Sequence, residues 1–207
     1  EEGLEKARLG VKILIREGSA ARNFEALWPL LKEFPAQIMF CSDDKHPDDL
    51  VRGHINELVL RALANGCDLF DTLRAACLNP VEHYHLPVGQ LREGDPADFI
   101  RVADLSLFRV LETWLDGQKV AENGHSLLPR LTSAAPNHFS ASPKNAVDFH
   151  VRSSQAVTLS HRLTTARIIE ALDGQIVTGS ALENLTVSGG QILSEPSRDL
   201  LKISVIN

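Results

Sequence analysis

Four aspartates and a histidine crowd into the seven residues Asp43-Asp44-Lys45-His46-Pro47-Asp48-Asp49, directly after the apolar run Ala36-Gln37-Ile38-Met39-Phe40-Cys41. A carboxylate just past the end of a buried strand can bind a divalent cation and accept a proton from a water polarised there. Asp43, the first acid after the run, is the candidate for both roles. Asp44 and His46 are its neighbours, placed to support it or to touch a substrate. Crowded carboxylates also repel one another, which raises proton affinity. The same residues equally describe a solvated loop that starts a helix, with His46-Pro47 turning and Asp48 or Asp49 capping. Spacing alone leaves both readings open. A second strand end, Arg16-Glu17-Gly18-Ser19 after Val11-Lys12-Ile13-Leu14-Ile15, offers Glu17 and Ser19 as further candidates. His83-Tyr84-His85 has the spacing of a metal half-site, but it follows a helical stretch, and a structural or surface role is expected. His54 and Glu57 sit three apart on one helix face, where a surface or packing role is expected. His125, His138, His150 and His161 are scattered.

The elements that must position these residues alternate. Val11–Ile15 reads as a strand buried on both faces. Phe24–Glu33 reads as a helix that Pro29 kinks or breaks, and residues 36–41 as a second buried strand. Residues 48–66 read as one helix with the apolar stripe Val51, Ile55, Leu58, Val59, Ala62, closed by Gly66. Helix–strand–helix–strand–helix predicts α/β architecture with parallel strands, part of a barrel or of a doubly wound sheet. Asp68 caps the next helix, with Asp71 at its third position, and this helix ends near Asn79-Pro80. From Leu86 the texture changes to short strands and turns. Asp116-Gly117 is a two-residue hairpin signal between Val110–Leu115 and Gln118–Glu122. Residues 126–145, rich in Ser, Pro, Ala and Asn, read as a linker. The remainder is strand-rich, with turns at Asp173-Gly174 and Gly189-Gly190. The expected divisions are 1–85, 86–125, the linker 126–145, and 146–207.

The 207 residues carry 21 Lys and Arg against 27 Asp and Glu, a net charge of −6. No basic block is present, which argues against nucleic acid and anionic membrane as partners. No apolar run approaches the roughly 18 residues that a membrane span needs, and no signal peptide is visible. Cys41, Cys67 and Cys77 are odd in number and lie in apolar contexts without zinc-motif spacing. They read as reduced core thiols of a cytoplasmic protein. The chain lacks an initiator methionine, opens in what reads as the end of a helix and stops within what reads as a strand. Both ends are expected to be cut from something longer.

Residues 79–105, with Asn79, Pro80, Gly89, Leu91, Gly94, Ala97, Asp98 and Phe99, resemble the stretch that ends the barrel of the metal-dependent amidohydrolase superfamily. Residues 9–23 and 40–63 resemble the seventh and eighth barrel strands of its adenine deaminase family, with the helices that follow. The tail from about Val147 resembles that family's carboxyl-terminal domain. The resemblance implies the last two β/α units of a (β/α)8 barrel, a small β-sandwich portion from 86 to 125, and the start of a strand-rich domain from 146. It implies hydrolytic conversion of adenine to hypoxanthine and ammonia by metal-bound hydroxide, with Asp43 as metal ligand and proton carrier. It further implies a binuclear divalent centre of Mn2+ or Fe2+, with Zn2+ as the alternative, a purine substrate, a role in purine salvage and a homo-oligomer. The family's other metal ligands precede residue 1, so the chain alone is expected to be inactive. Another amidohydrolase acting on a cyclic amide or amine, or a non-catalytic binding module, are the alternative readings.

Overall fold

The computed structural model describes residues 1–132, 138, 140–153 and 163–206. Contacts divide them into two units, Glu1–Arg130 with Asp173–Ile176, and Leu131–Leu172 with Val177–Asn207. The 126–145 stretch falls partly outside the described residues, as does His161.

In the first unit α1 (Glu2–Arg8) leads to β1 (Ile13–Arg16), α2 (Phe24–Leu27), α3 (Pro29–Glu33) and β2 (Ile38–Cys41). β1 and β2 pair in parallel, with Ile13 opposite Ile38 and Arg16 opposite Cys41. Of the two outcomes expected at Pro29, a kink or a break, the structure has the break: Pro29 opens α3, because a proline lacks the N–H that a continuing helix would use. Ile13, Ile15, Phe24, Leu31, Ile38 and Phe40 form the core with Leu58, Val59 and Ala62 of the later helix. β2 is buried on both faces as expected, but β1 is not: Leu14 is 38% exposed between two buried isoleucines. Alternation puts Leu14 and Arg16 on the face opposite Ile13 and Ile15, and the described residues do not cover Leu14.

The single helix expected over 48–66 is two. α4 (Pro47–Leu50) stops, a turn follows, and α5 (Ile55–Ala64) restarts. Val51, read as part of the apolar stripe, is exposed. The break centres on Gly53, whose carbonyl accepts a hydrogen bond from Lys45 Nζ at 3.0 Å instead of continuing a helical ladder. Neither Asp48 nor Asp49 caps α4; His46 occupies the cap position in extended conformation without a side-chain bond. Asp68 does cap α6 (Leu69–Leu73), accepting from the N–H groups of Phe70 and Asp71. That helix does not end at Asn79-Pro80. It passes through a π-helical turn, Arg74–Leu78, into α7 (Asn79–Tyr84). The wider turn lets the chain carry a proline in the first turn of the helix that follows.

Asn79 is 1% exposed, and its Nδ2 donates to the carbonyls of Pro35 and Ile38, both at 2.7 Å. The helix is thereby tied to the entrance of β2. After α7 the chain runs irregularly to Asp98 before an antiparallel sheet of β3 (Phe99–Val102), β4 (Val110–Leu115), β5 (Gln118–Glu122) and β6 (His125–Ser126), in that order. Asp98 accepts the N–H of Gly89 at 2.8 Å on one oxygen and that of Asp116 at 2.7 Å on the other, and these two bonds hold its carboxyl below the usual range. Asp116 and Gly117 both have positive φ, the geometry of a tight two-residue hairpin.

The second unit holds one antiparallel sheet, ordered β7 (Val151–Arg152), β10 (Gln191–Ile192), β9 (Gly179–Ser188), β8 (Leu163–Glu170). Gly189 and Gly190, both at positive φ, make the two-residue turn between β9 and β10. Asp173-Gly174 lies inside a longer connection, since β8 stops at Glu170 and β9 begins at Gly179. No helix among the described residues is long and apolar enough to cross a membrane.

Candidate functional site

Because β1 and β2 are parallel and in register, their carboxyl ends open on the same side. The loops Glu17–Asn23 and Ser42–His46 therefore meet. Arg16 is on the β1 face opposite the helix-facing isoleucines, across from Cys41, and its Nη1 donates to Asp43 Oδ2 at 3.0 Å. Asp43 has φ +52, the left-handed region, which aspartate adopts more readily than most non-glycine residues. Its Oδ1 accepts the N–H of Asp44 at 2.8 Å. The Asp44 carboxylate in turn accepts both donors of Ser19, the N–H at 2.9 Å and the hydroxyl at 2.8 Å.

These hydrogen bonds lower the Asp44 pKa, the N–H of Ser19 contributing most and its hydroxyl next. The crowding of acids was expected to raise proton affinity in this loop; at Asp44 the donors of Ser19 win. Cys41, at the end of β2, is pushed up by burial.

The structure thus gathers Asp43, Asp44 and Ser19, and adds Arg16. Glu17 is turned elsewhere. One of its oxygens accepts the N–H of Phe24 at 3.1 Å, and the other pairs with Arg61 of α5, which also holds Glu25. The Arg61 guanidinium lies 3.9 Å from the centre of the Phe24 ring. Glu17 therefore anchors the helix behind the strand. His46 is exposed, 4.0 Å from the similarly exposed Asp48, and does not join the cluster. Lys45 does the opposite of what a lysine in an acidic loop suggests: its side chain is only 10% exposed, and Nζ reaches Glu57 of α5 at 2.7 Å. His54, beside it, is shifted down by burial and then by the Lys45 charge. A cavity of about 460 Å³ opens against these loops, lined by Glu17, Gly18, Lys45, Glu57 and Arg61, with Asp43 outside its lining.

Arg16 and Lys45 went unread in the sequence. The period of two in β1 marks Arg16 as sharing a face with Leu14, while nothing local points Lys45 at Glu57. Among the described residues no three His, Cys, Asp or Glu side chains converge to hold a metal ion. The donor set fits one carboxylate ligand for a hard divalent cation, not a metal centre. His83 meets the Tyr84 ring edge-on at 4.7 Å, and His85 closes α7 at φ +51. The three cysteines are free; Cys67 is buried, but Cys77, read as a core thiol, is exposed.

Residues 5–120 match the amidohydrolase family. Over all 207 residues the chain is 49% identical to an adenine deaminase of Salinibacter ruber and 50% identical to one of Sulfurovum sp.. At 210 aligned residues it is 47% identical to an adenine deaminase of Methanosarcina acetivorans. The chain spans 36% of the length of the first two and 38% of the third. Among solved structures, a β-aspartyl dipeptidase from Fervidobacterium islandicum AW-1 superimposes with a TM-score of 0.51 at 22% identity, over 63% of this chain and 36% of that one. At that identity the likeness concerns the fold.

Proposed function

Since this chain belongs to the amidohydrolase family and has its α/β fold, we propose that it forms part of an enzyme that hydrolyses adenine to hypoxanthine and ammonia. The observation that carries this reading is 49–50% identity to adenine deaminases over all 207 residues of the chain. In this reading β1 and β2, with their helices, are the last two units of a barrel, the sheet β3–β6 is a sandwich portion, and the second unit begins a further domain. Asp43 is the residue at the reacting centre.

A divalent cation, Mn2+ or Fe2+ with Zn2+ as the alternative, would supply an acidified water when bound, with Asp43 as one ligand and the others from the length of the relatives that this chain does not span. Each Asp43 oxygen accepts one hydrogen bond, from Arg16 or from the Asp44 N–H. A carboxylate oxygen has a second acceptor site, so Asp43 retains capacity to take the proton of the attacking water and return it to the departing amino nitrogen. Arg16 fixes the direction in which the carboxylate points. The reading includes a cytoplasmic homo-oligomer acting in purine salvage; free cysteines support a reducing compartment.

The test is ammonia release from adenine by the full-length protein. Asp43→Asn keeps the size of the side chain but removes its charge and its capacity as a base. The expected loss in kcat is ~10²–10⁴-fold. Asp48→Asn is the control and should stay near wild type, because Asp48 is three-quarters exposed and caps nothing. Full activity in Asp43→Asn removes the catalytic assignment, and a wild type that leaves adenine untouched removes the substrate.

A further inference from the structure

The three residues Asp43, Asp44 and Lys45 leave β2 in three directions: to Arg16 at the end of β1, to Ser19 in the loop after it, and to Glu57 on α5. Asp43 is in a left-handed conformation, which its own Oδ1 supports by accepting the Asp44 N–H. The loop is tied to the rest of the fold through its neighbours. Asp44 supplies the hold nearest to it. Its carboxylate gathers both donors of Ser19, while its own N–H fixes Asp43 Oδ1. Gly18 makes the approach possible. A Cβ there would sit 2.5 Å from Asp44 Oδ1 and 3.1 Å from the Asp43 Cβ.

Resting on the reading of Asp43 as the residue at the reacting centre, we propose that Asp44 is a positioning residue: with Ser19 and Gly18 it latches the two strand-end loops together and thereby sets the direction of the Asp43 carboxylate. Asp44 has no remaining need to touch the purine in this assignment. It acts through the loop, and Lys45, fixed to Glu57 and to the Gly53 carbonyl, braces the same loop from its other side. Misplacing a group at a reacting centre lowers the rate of the chemical step more than it weakens binding, because substrate contacts elsewhere are intact.

The experiment uses the full-length, metal-loaded protein with Asp44→Ala, Ser19→Ala, the double variant, Ser19→Thr and Gly18→Ala. Asp44→Ala and Ser19→Ala should each lower kcat for adenine ~10–100-fold, the range for residues that orient a metal-site ligand, with KM within about twofold. The double variant should lose no more than the worse single variant, since one contact is broken in each. Ser19→Thr keeps both donors and should recover most of the rate, while Gly18→Ala should lose rate like Asp44→Ala. Independently of activity, amide exchange at Ser19 should speed up in Asp44→Ala, because its N–H has lost its acceptor. Unchanged kcat and exchange in Asp44→Ala overturn the latch. A KM rise equal to the kcat loss overturns it in favour of direct substrate contact. A wild type inactive on adenine, by contrast, removes the functional reading itself and this assignment with it.

Discussion

Single side chains carry the parts of this protein that can be tested most directly. Asn79 stands in the stretch that resembles the end of an amidohydrolase barrel, and its place in the structure explains what an asparagine does there. It is buried, and its two N–H groups serve two backbone carbonyls beside β2. Asn79→Ala leaves those carbonyls without donors, which costs about 1–3 kcal/mol for each one left unsatisfied. Urea unfolding should show a loss of about 2–6 kcal/mol for the two together, and a change below about 0.5 kcal/mol would mean that neither carbonyl needs the side chain. Asp98 is the same kind of residue. Its carboxylate holds the ends of a loop and a hairpin together, and Gly89 opposite it has no room for a side chain, a Cβ lying 1.8 Å from the Pro96 carbonyl oxygen. Both residues were legible as a motif, but not as two hydrogen-bond clamps.

At the scale of elements, β4 concentrates charge. Glu112 accepts two bonds from Arg101, at 3.0 and 2.8 Å, one from the Trp114 indole at 3.0 Å and one from Lys119 at 3.3 Å. Arg101 above all, then Trp114, holds the Glu112 carboxyl down at about 2, against an ordinary 4.5. A carboxyl depressed in the folded state takes up its proton more readily in the unfolded chain. Its stabilisation is therefore complete above pH 4.5 and is lost as pH falls toward 2. Melting temperature measured across that window should drop less steeply in Glu112→Gln than in wild type; parallel profiles would show that the cluster is equally stable without the charge. The hairpin that carries this cluster was readable from Asp116-Gly117 because two residues suffice to specify a tight turn. The single helix read over 48–66 was not broken by any local signal strong enough to stop it: Gly53 costs a helix only about 1 kcal/mol. The bond from Lys45, eight residues earlier, takes its carbonyl out of the ladder.

For the whole molecule, contacts separate the chain at Arg130 and Leu131, within the stretch 126–145 whose composition reads as a linker. Limited proteolysis should cut first between Ser126 and Pro143, leaving two fragments stable to further digestion. A first cut inside α5 would count against two independently packed units. The sequence by itself determined the alternation of strands and helices, the Asp68 cap, the glycine turns and the placement of an acid after β2. Each of these is fixed by interactions among residues a few positions apart. Only the tertiary structure decided where the charges point. Arg16 meets Asp43 across 27 positions, and Ser19 meets Asp44 across 25, contacts that exist because β1 and β2 run parallel and in register. Glu17 and His46 both follow strand ends in the sequence, and only the fold pairs the first with Arg61 of α5 and leaves the second exposed. A side chain's partner is set by which backbone segments the fold brings within about 3 Å, and that distance is not a property of any short stretch of sequence.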